Sequence, residues 1–270
     1  MPTISVLMGI YNTKNKDYLE KSLKSILNQT YNDFELIICD DGSTNDCIKW
    51  AKEIVGSDKR VIFIKNELNR GLAYTLNHCL NVSNGKYIAR MDDDDISHLD
   101  RFEKQINYLN NNVVDLVSNN INVFDQNGIY NTLVYPNHIT KKDFLFNSPI
   151  VHPSIMAKKS AFTKVNGYRD VKKTIRVEDY DLFMRMFEAG IKMDVIQEPL
   201  LDYRDDRENT IRRKKYKYRI NEFKVRLDGF KRLKLMPVGM VYALKPLILG
   251  FLPVNFITWI KKKRKREKEE

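Results

Sequence analysis

The chain has 270 residues, of which 43% are hydrophobic and 11% aromatic, so it is long enough to bury a substantial core. This length excludes a disulfide mini-protein, and the 30% of charged residues argues against a fibrous chain. Charge is uneven, because residues 207–270 contain 20 Lys and Arg against 6 Asp and Glu, whereas residues 1–206 contain 26 against 29. A nearly neutral α/β domain followed by a strongly basic tail is therefore expected.

The cysteines and the N-terminus indicate a reducing compartment. Cys39, Cys47 and Cys79 form an odd set without CxxC spacing, so neither a disulfide framework nor a zinc site is predicted. The chain begins almost directly with an apolar strand and lacks the basic region and cleavage site of a signal peptide. We therefore expect a cytoplasmic protein.

The first hundred residues alternate between short β-branched runs and segments of helical period. Strands separated by helices predict βαβ units and a Rossmann-like, mostly parallel sheet with helices on both faces. In such sheets ligands bind beyond the carboxyl ends of the strands. The predicted strands cover residues 4–8, 34–39, 61–65 and 86–89.

From about residue 113 the pattern changes to longer strands and mixed helices. Strands are predicted at residues 114–124, 130–135 and 154–157, and a helix at residues 178–189 that ends at Gly190. A basic helix is predicted at residues 207–232, so we place a boundary near residue 205.

Four adjacent carboxylates, Asp92 to Asp95, directly follow the fourth predicted strand. They repel one another unless a cation or hydrogen-bond donors offset their charge. Alternate residues of an extended segment share a face, so Asp92 and Asp94 can point at one ion. Hard oxygen ligands suit Mg²⁺ or Mn²⁺ that shares its shell with phosphate oxygens. A solvated acidic loop is the alternative.

Other polar residues also stand at strand or helix ends. A carboxylate in residues 40–43 could accept a hydrogen bond from uracil N3–H or from ribose hydroxyls, although Asp-Gly-Ser is also a typical turn and N-cap. Tyr11 could stack on a base or be a strand-end aromatic. Glu178 and Asp179 could serve as a base or simply place favourable charge at a helix start.

Together these segments occur in the order and spacing of a known family. The chain resembles the inverting family-2 glycosyltransferases of GT-A fold, especially the bacterial enzymes that build capsule, O-antigen and exopolysaccharide units. The resemblance covers residues 3 to about 205. It implies transfer of a sugar, with inversion, from a nucleotide diphosphate sugar such as a UDP-sugar to a glycan or lipid-linked acceptor. The matched segments are residues 9–12, 40–43, 69–72, 89–95 and 177–181.

The resemblance also implies roles for single residues. Asp92 and Asp94 would form a DxD site for Mn²⁺ or Mg²⁺, and Asp179, beside Glu178, would be the catalytic base. Residues 1–112 would form the nucleotide-binding half and residues 113–205 the acceptor half. The implied donor contacts are Tyr11, Asn12, Asp40, Asp41, Asn69, Arg70 and Asp93, with Tyr11 and Asp40 at the base and Asp93 beside the ribose and sugar.

Three further residues are candidates for the acceptor or diphosphate side. His152 resembles a His near the metal side of related bacterial transferases, although a lone His is often structural. Arg212 and Arg213 could close over the diphosphate, or could form a solvated basic helix face.

The apolar stretch of residues 235–260 contains three prolines, and its uncharged part, residues 246–260, is shorter than the ~20 residues that span a bilayer. With its flanking cations it predicts that residues 206–270 are an amphipathic extension on an anionic membrane surface. This would place the protein at the inner face of the cell membrane. Nucleic acid is not expected as a partner, because the tail lacks a helix-turn-helix or zinc pattern.

Two other functions remain as alternatives. A nucleotidyl-sugar transferase would share the fold and the metal, but its Gly-rich, Arg- or Lys-containing loop does not follow the first predicted strand here. A catalytically inert nucleotide-binding scaffold of a glycan-synthesis complex would have no use for Asp179 together with Asp92 and Asp94.

Overall fold

The computed structural model describes residues 1–206 and 215–251. Arg212, Arg213 and the part of the apolar stretch beyond residue 251 lie outside these residues. The strands are β1 (Ile4–Ile10), β2 (Phe34–Asp40), β3 (Val61–Lys65), β4 (Tyr87–Arg90), β5 (Ile96–Ser97), β6 (Leu116–Asp125), β7 (Gly128–Leu133), β8 (Met156–Lys158) and β9 (Met193–Arg204). The helices are α1 (Lys16–Leu27), α2 (Cys47–Val55), α3 (Leu72–Val82), α4 (Arg101–Asn111), α5 (Lys159–Lys164), α6 (Glu178–Glu188), α7 (Tyr216–Arg232) and α8 (Val238–Phe251).

These strands form one sheet in the order β3-β2-β1-β4-β8-β6-β9-β5, with β7 paired to β6. The pairs β3-β2, β2-β1 and β1-β4 are parallel, so the carboxyl ends of four strands meet at one edge. The second half is mixed, because β8 is antiparallel to both β4 and β6 whereas β6 and β9 are parallel. The predicted α/β fold is confirmed.

The central strands carry apolar side chains on both faces, and this explains why helices cover both faces of the sheet. In β1, Val6 and Met8 belong to one buried cluster and Leu7 belongs to the other. Helix α1 supplies Leu23 to the first cluster, and α3 supplies Leu76 to the second. Because side chains of a strand alternate between faces, a continuous apolar run is what two covered faces require.

The described part of the C-terminal extension packs into the same core as the sheet. Val225 and Phe230 of α7 and Ala243 of α8 are buried in the cluster that also contains Leu7. Helix α7 packs against α6, and the boundary predicted near residue 205 does not separate two independent cores here. None of the helices in residues 1–206 and 215–251 is both long and apolar enough to cross a bilayer.

Candidate active site

The loops after β1 and β2 are joined at the carboxyl edge of the sheet. The amide of Asp41 donates to the carbonyl of Ile10 at 2.9 Å, and Asn12 N donates to Ser43 Oγ at 3.1 Å. Asn12 has a φ of 48°, and its Oδ1 accepts from Thr44 N at 2.9 Å. Asn12 therefore holds the two loops together and leaves its neighbour Tyr11 51% exposed at the edge.

Asp40 and Asp41 are both buried but make different contacts. Asp40 Oδ1 accepts from Ser43 N at 2.7 Å, and its Oδ2 lies 4.0 Å from Lys65 Nζ. The turn expected for this motif is therefore present. Asp41 instead binds the loop that follows β3, and its two oxygens accept four hydrogen bonds of 2.8–2.9 Å from Asn66 Nδ2, Asn69 Nδ2, Arg70 N and Gly71 N.

These contacts give Asp41 the role of positioning the loop that carries Asn69 and Arg70. Arg70 in turn lies over the ring of Tyr74, with its guanidinium carbon 4.4 Å from the centroid. Gly42 allows the close approach of this loop, because a Cβ there would lie 2.6 Å from the carbonyl carbon of Leu68. With a φ of +72°, Gly42 also adopts a conformation that disfavours other residues.

The acidic loop after β4 forms a compact carboxylate cluster. One oxygen from each of Asp92, Asp94 and Asp95 lies within 4.8 Å of the others. Asp93 points elsewhere and accepts a short hydrogen bond from Thr13 Oγ1. The alternation expected for Asp92 and Asp94 is thus present, and a turn at residues 93–94 adds Asp95, which the sequence analysis did not assign.

Burial disfavours ionisation of three carboxylates of this loop, Asp93, Asp94 and Asp95. It raises the pKa of Asp94 to about 8, with added repulsion from Asp92 and Asp93, and raises the pKa of Asp93 to about 6. Asp95 is fully buried, and its Oδ2 has no hydrogen-bond partner among the described residues. Three close carboxylates with an unsatisfied buried oxygen are a suitable ligand set for Mg²⁺ or Mn²⁺.

Two arginines that the sequence analysis did not assign hold the cluster in place. Arg90, only 2% exposed, forms an ion pair with Asp92. Arg204 donates from its backbone to Asp95 Oδ1 at 2.8 Å and from Nε to the carbonyl of Asp94 at 3.1 Å. Its guanidinium lies between the rings of Tyr18 and Phe124, 3.5 and 4.2 Å from their centroids.

A cavity of about 650 Å³ connects this cluster with the start of α6. Its lining includes Arg90 and Asp92 from the first of these sites and Glu178 and Asp179 from the second. Burial and the adjacent Asp179 raise the pKa of Glu178 to about 7, and burial also raises the pKa of Asp179. Both groups therefore hold protons more readily than exposed carboxylates do, as a general base requires.

His152 lies in the wall of the same cavity. Its Nε2 is 2.7 Å from Tyr168 Oη, and its ring makes edge contacts with Tyr168 and Phe183. Burial lowers the pKa of His152 well below its usual value, so the imidazole is neutral at physiological pH.

Helix α7 also lines the cavity, through Tyr218, Arg219 and Glu222. The basic composition of residues 207–232 predicts instead that this helix belongs to the membrane-associating tail. No local pattern in its sequence reveals that one side faces a cavity formed by residues from earlier in the chain.

Comparisons with known proteins agree with this geometry. The sequence profile described as Glycosyl transferase family 2 matches residues 5–172. EpsE of Bacillus subtilis (strain 168), which is named as a glycosyltransferase, is 36% identical over 271 residues, covering 100% of this chain and 96% of its own. The UDP-Gal:alpha-D-GlcNAc-diphosphoundecaprenol beta-1,3-galactosyltransferase of Escherichia coli is 30% identical over 271 residues, covering 97% of this chain and 96% of its own.

Solved structures show the same fold at low sequence identity. S. aureus TarS 1-349 in complex with UDP superimposes with a TM-score of 0.68 at 14% identity, covering 96% of this chain and 78% of that one. The mannosyltransferase PcManGT from Pyrobaculum calidifontis, in complex with GDP-Man and Mn²⁺, has a TM-score of 0.60 at 15% identity, covering 98% and 80%. The expected GT-A fold is confirmed.

Proposed function

The chain belongs to glycosyl transferase family 2, and from this premise we propose a metal-dependent, inverting transfer of a sugar from a UDP-sugar to a lipid-linked glycan. The observation that carries the proposal is the single cavity that joins Asp92, at the carboxylate cluster, to Asp179. The leaving group of the donor and the attacking hydroxyl of the acceptor lie on opposite faces of the anomeric carbon, so the residues that act on them must share one cavity. The product would enter surface polysaccharide synthesis.

The donor would lie along the carboxyl edge of the sheet. Tyr11 offers an exposed ring for the base, and Asp40 lies at the end of the adjacent strand. Asn69 and Arg70 would approach the nucleotide on the loop that Asp41 positions, with Asp93 beside the ribose and sugar. A fold neighbour bound to UDP and the galactosyltransferase relative named for UDP-Gal support a uridine donor.

Asp92, Asp94 and Asp95 would hold the divalent ion, and the Mn²⁺ in one fold neighbour supports Mn²⁺ as the first candidate. When bound, such an ion neutralises the diphosphate and stabilises it as a leaving group. Arg90, held against Asp92, adds a fixed positive charge on the same side. Arg204 would keep Asp94 and Asp95 in position.

Asp179 would act on the acceptor. Its carboxylate takes the proton of an acceptor hydroxyl as that oxygen bonds to the anomeric carbon. The bond from the anomeric carbon to the diphosphate oxygen breaks on the opposite face, and the electron pair leaves with the nucleoside diphosphate. Attack opposite the leaving group inverts the anomeric centre, as in other displacements with an oxocarbenium-like transition state.

The lipid-linked acceptor is proposed from the relative named for a diphosphoundecaprenol substrate. Helix α8 would bring the site to the membrane, because Val238, Val241 and Ile248 are exposed on it and Lys231 and Lys234 precede it in the chain. Its Tyr242 contacts Phe146, in the loop whose Asn147 and Ser148 line the cavity. Anionic lipid is thus the expected surface partner.

The test is a screen of nucleotide sugars for thermal stabilisation of the full chain with and without Mn²⁺, followed by assays of turnover. A glycosyltransferase is expected to release UDP only in the presence of metal and to do so faster with acceptor. Formation of pyrophosphate from UTP and a sugar phosphate would instead identify a nucleotidyl-sugar transferase. Metal-dependent binding without any turnover would identify an inert scaffold.

A further inference from the structure

We propose that α7 forms the acceptor sugar subsite, with Tyr218 as an aromatic platform and with Arg219 and Glu222 as partners for sugar hydroxyls. This inference rests on the proposed function, since it concerns the acceptor of that reaction. It adds contacts from a helix that begins more than forty residues after the end of the family match at residue 172. The ligand class is a pyranose with free hydroxyl groups.

The three side chains lie on the part of α7 that lines the cavity containing Asp179. Positions four apart are neighbours on one helix face, so Tyr218 and Glu222 present adjacent surfaces. Arg219 NH1 lies 3.1 Å from Glu222 Oε2, which orients both groups. Asn147 and Ser148 add further polar groups to the wall.

Buried contacts fix α7 relative to the catalytic residues. Arg226 is 1% exposed and donates to the carbonyls of Leu145 and Phe146 at 3.1 Å. It also binds the other oxygen of Glu222, with Nε 3.0 Å from Oε1. Asn221 Nδ2 donates at 3.2 Å to the carbonyl of Ile175, three residues before Glu178. These contacts hold the helix against the segment that leads into α6.

The chemistry of these groups matches a sugar better than a phosphate. A sugar hydroxyl both donates and accepts, so a guanidinium and a carboxylate side by side satisfy it. The apolar face of a pyranose ring can pack on the ring of Tyr218, in the way that mixed aromatic and polar pockets bind small ligands. The lining contains Arg176 and Arg219 beside Glu178, Asp179 and Glu222, so the positive charge that a phosphate would need does not predominate there.

The test compares Tyr218→Ala and Arg219→Gln with the matched control Lys224→Gln, which removes the same charge from an exposed position of α7 outside the cavity lining. The probes are short alkyl diphosphates that carry a hexose or an N-acetylhexosamine. For the probe that the wild-type chain glycosylates, we expect the acceptor KM of both variants to rise about tenfold or more. The control variant should keep the wild-type acceptor KM and the wild-type rate of metal-dependent UDP-sugar hydrolysis, and all three variants should keep the wild-type melting temperature.

Tyr218→Phe keeps the ring and is expected to stay within about threefold of wild type, which identifies the ring rather than the hydroxyl as the contact. Acceptor KM values within twofold of wild type in Tyr218→Ala and Arg219→Gln would overturn the inference, as would hydrolysis that falls in parallel with transfer. Normal hydrolysis by a wild-type chain that glycosylates none of the probes would also count against it. Absence of metal-dependent hydrolysis in the wild type would contradict the proposed function itself.

Discussion

Single carboxylates of the acidic loop differ in what surrounds them, and this decides what each can do. Asp93 is engaged by Thr13, Asp92 by Arg90, and Asp95 by the backbone of Arg204. Burial and the neighbouring negative charges raise the pKa of Asp94 to about 8. A divalent ion would relieve this repulsion for Asp94 and also for Asp95, whose pKa is raised by burial and by the neighbouring negative charges.

Replacement of Asp94 by Asn is expected to abolish turnover and to remove the Mn²⁺ dependence of UDP binding, because an amide carries no charge to hold the ion. Calorimetric titration of UDP with and without Mn²⁺ measures this effect. Asp17→Asn, at the exposed start of α1, is the control and should behave as wild type. Full activity of Asp94→Asn would show that Asp94 is not a metal ligand.

Replacement of Asp179 by Asn is expected to lower kcat by about 10²-fold or more, since general base catalysis typically contributes that much. The Kd of the UDP-sugar should stay within a few fold, because the residue acts on the acceptor. Steady-state kinetics together with donor titration separate the two effects. Weak donor binding with a normal kcat would instead show that Asp179 holds the donor.

Glu178 makes stability depend on pH. Its pKa is about 7 in the folded chain against an ordinary value of 4.5, so the folded state binds more protons between these values. Stability conferred by the protonated group is complete below about pH 4.5 and is lost as the pH rises through 7. Glu178→Gln should therefore raise the melting temperature relative to wild type at pH 8 but not at pH 4.5. An equal shift at both values would contradict burial as the cause.

Residue assignments could be predicted only where a strand end, a helix start or the family resemblance points to them. Asp92, Asp94 and Asp179 follow from their spacing and from the family resemblance, and the structure brings Asp92 and Asp179 to one cavity. The position of Asp95 in the cluster depends on a turn. The position of Arg204 beside the cluster depends on the pairing of β5 with β9, which are more than a hundred residues apart in the chain. Such long-range contacts leave no local pattern.

Loops between elements depend on a few positions of close backbone approach. Gly42→Ala combines a positive φ with a contact on the backbone of Leu68 and Asn69, whereas Gly190→Ala has a similar φ of +78° and nothing within 4 Å. The second variant should cost roughly 1–2 kcal/mol of unfolding free energy. Gly42→Ala should cost more and should weaken UDP binding at least fivefold. Denaturant unfolding and UDP titration test this. Equal effects in both variants would show that the contact with Leu68 and Asn69 is not the cause.

Element prediction succeeded where periodicity was strong and failed where packing decided. Strands β1 to β4 lie close to their predicted positions because their runs are apolar on both faces. Residues 152–154, part of them expected in a strand, form a 3₁₀ turn that contains Pro153. Helix α7 was expected from its pattern. The burial of its Arg226 was not, because arginine is rarely buried and the carbonyl groups that bind it here come from a distant part of the chain.

At the scale of the whole molecule, α8 is the expected contact with the membrane. Val241→Asp and Ile248→Asp place charge on residues that are 71% and 61% exposed, so both should preserve the fold and reduce pelleting with phosphatidylglycerol vesicles. Val113→Asp, at 82% exposure between α4 and β6, is the matched control. In 1 M salt, wild type should be released only in part, because the Debye length falls to about 3 Å while apolar burial remains. Complete release would indicate purely electrostatic binding.

Removal of the chain after residue 205 is expected to destabilise the protein as well as to release it from vesicles. Val225 and Phe230 are buried against the sheet domain, and Gly229 is so close to Met184 that a Cβ would lie 2.6 Å from its Cε. A truncated chain would expose this surface to water. A lower melting temperature together with weaker UDP-sugar hydrolysis is the expected result. Unchanged stability would instead indicate an independent tail.

Helix α7, which lines the cavity, lies outside residues 5–172 of the family match, and its position bears on how acceptor preference evolves. Under the proposed role of α7, substitutions in this helix would alter the choice of acceptor without touching the loops that face the donor, provided that Arg226 keeps its carbonyl partners. Relatives with nearly the same donor motifs can therefore diverge in the linkage they make. Exchange of residues 216–223 between two such enzymes offers a compact route to new polysaccharide repeats.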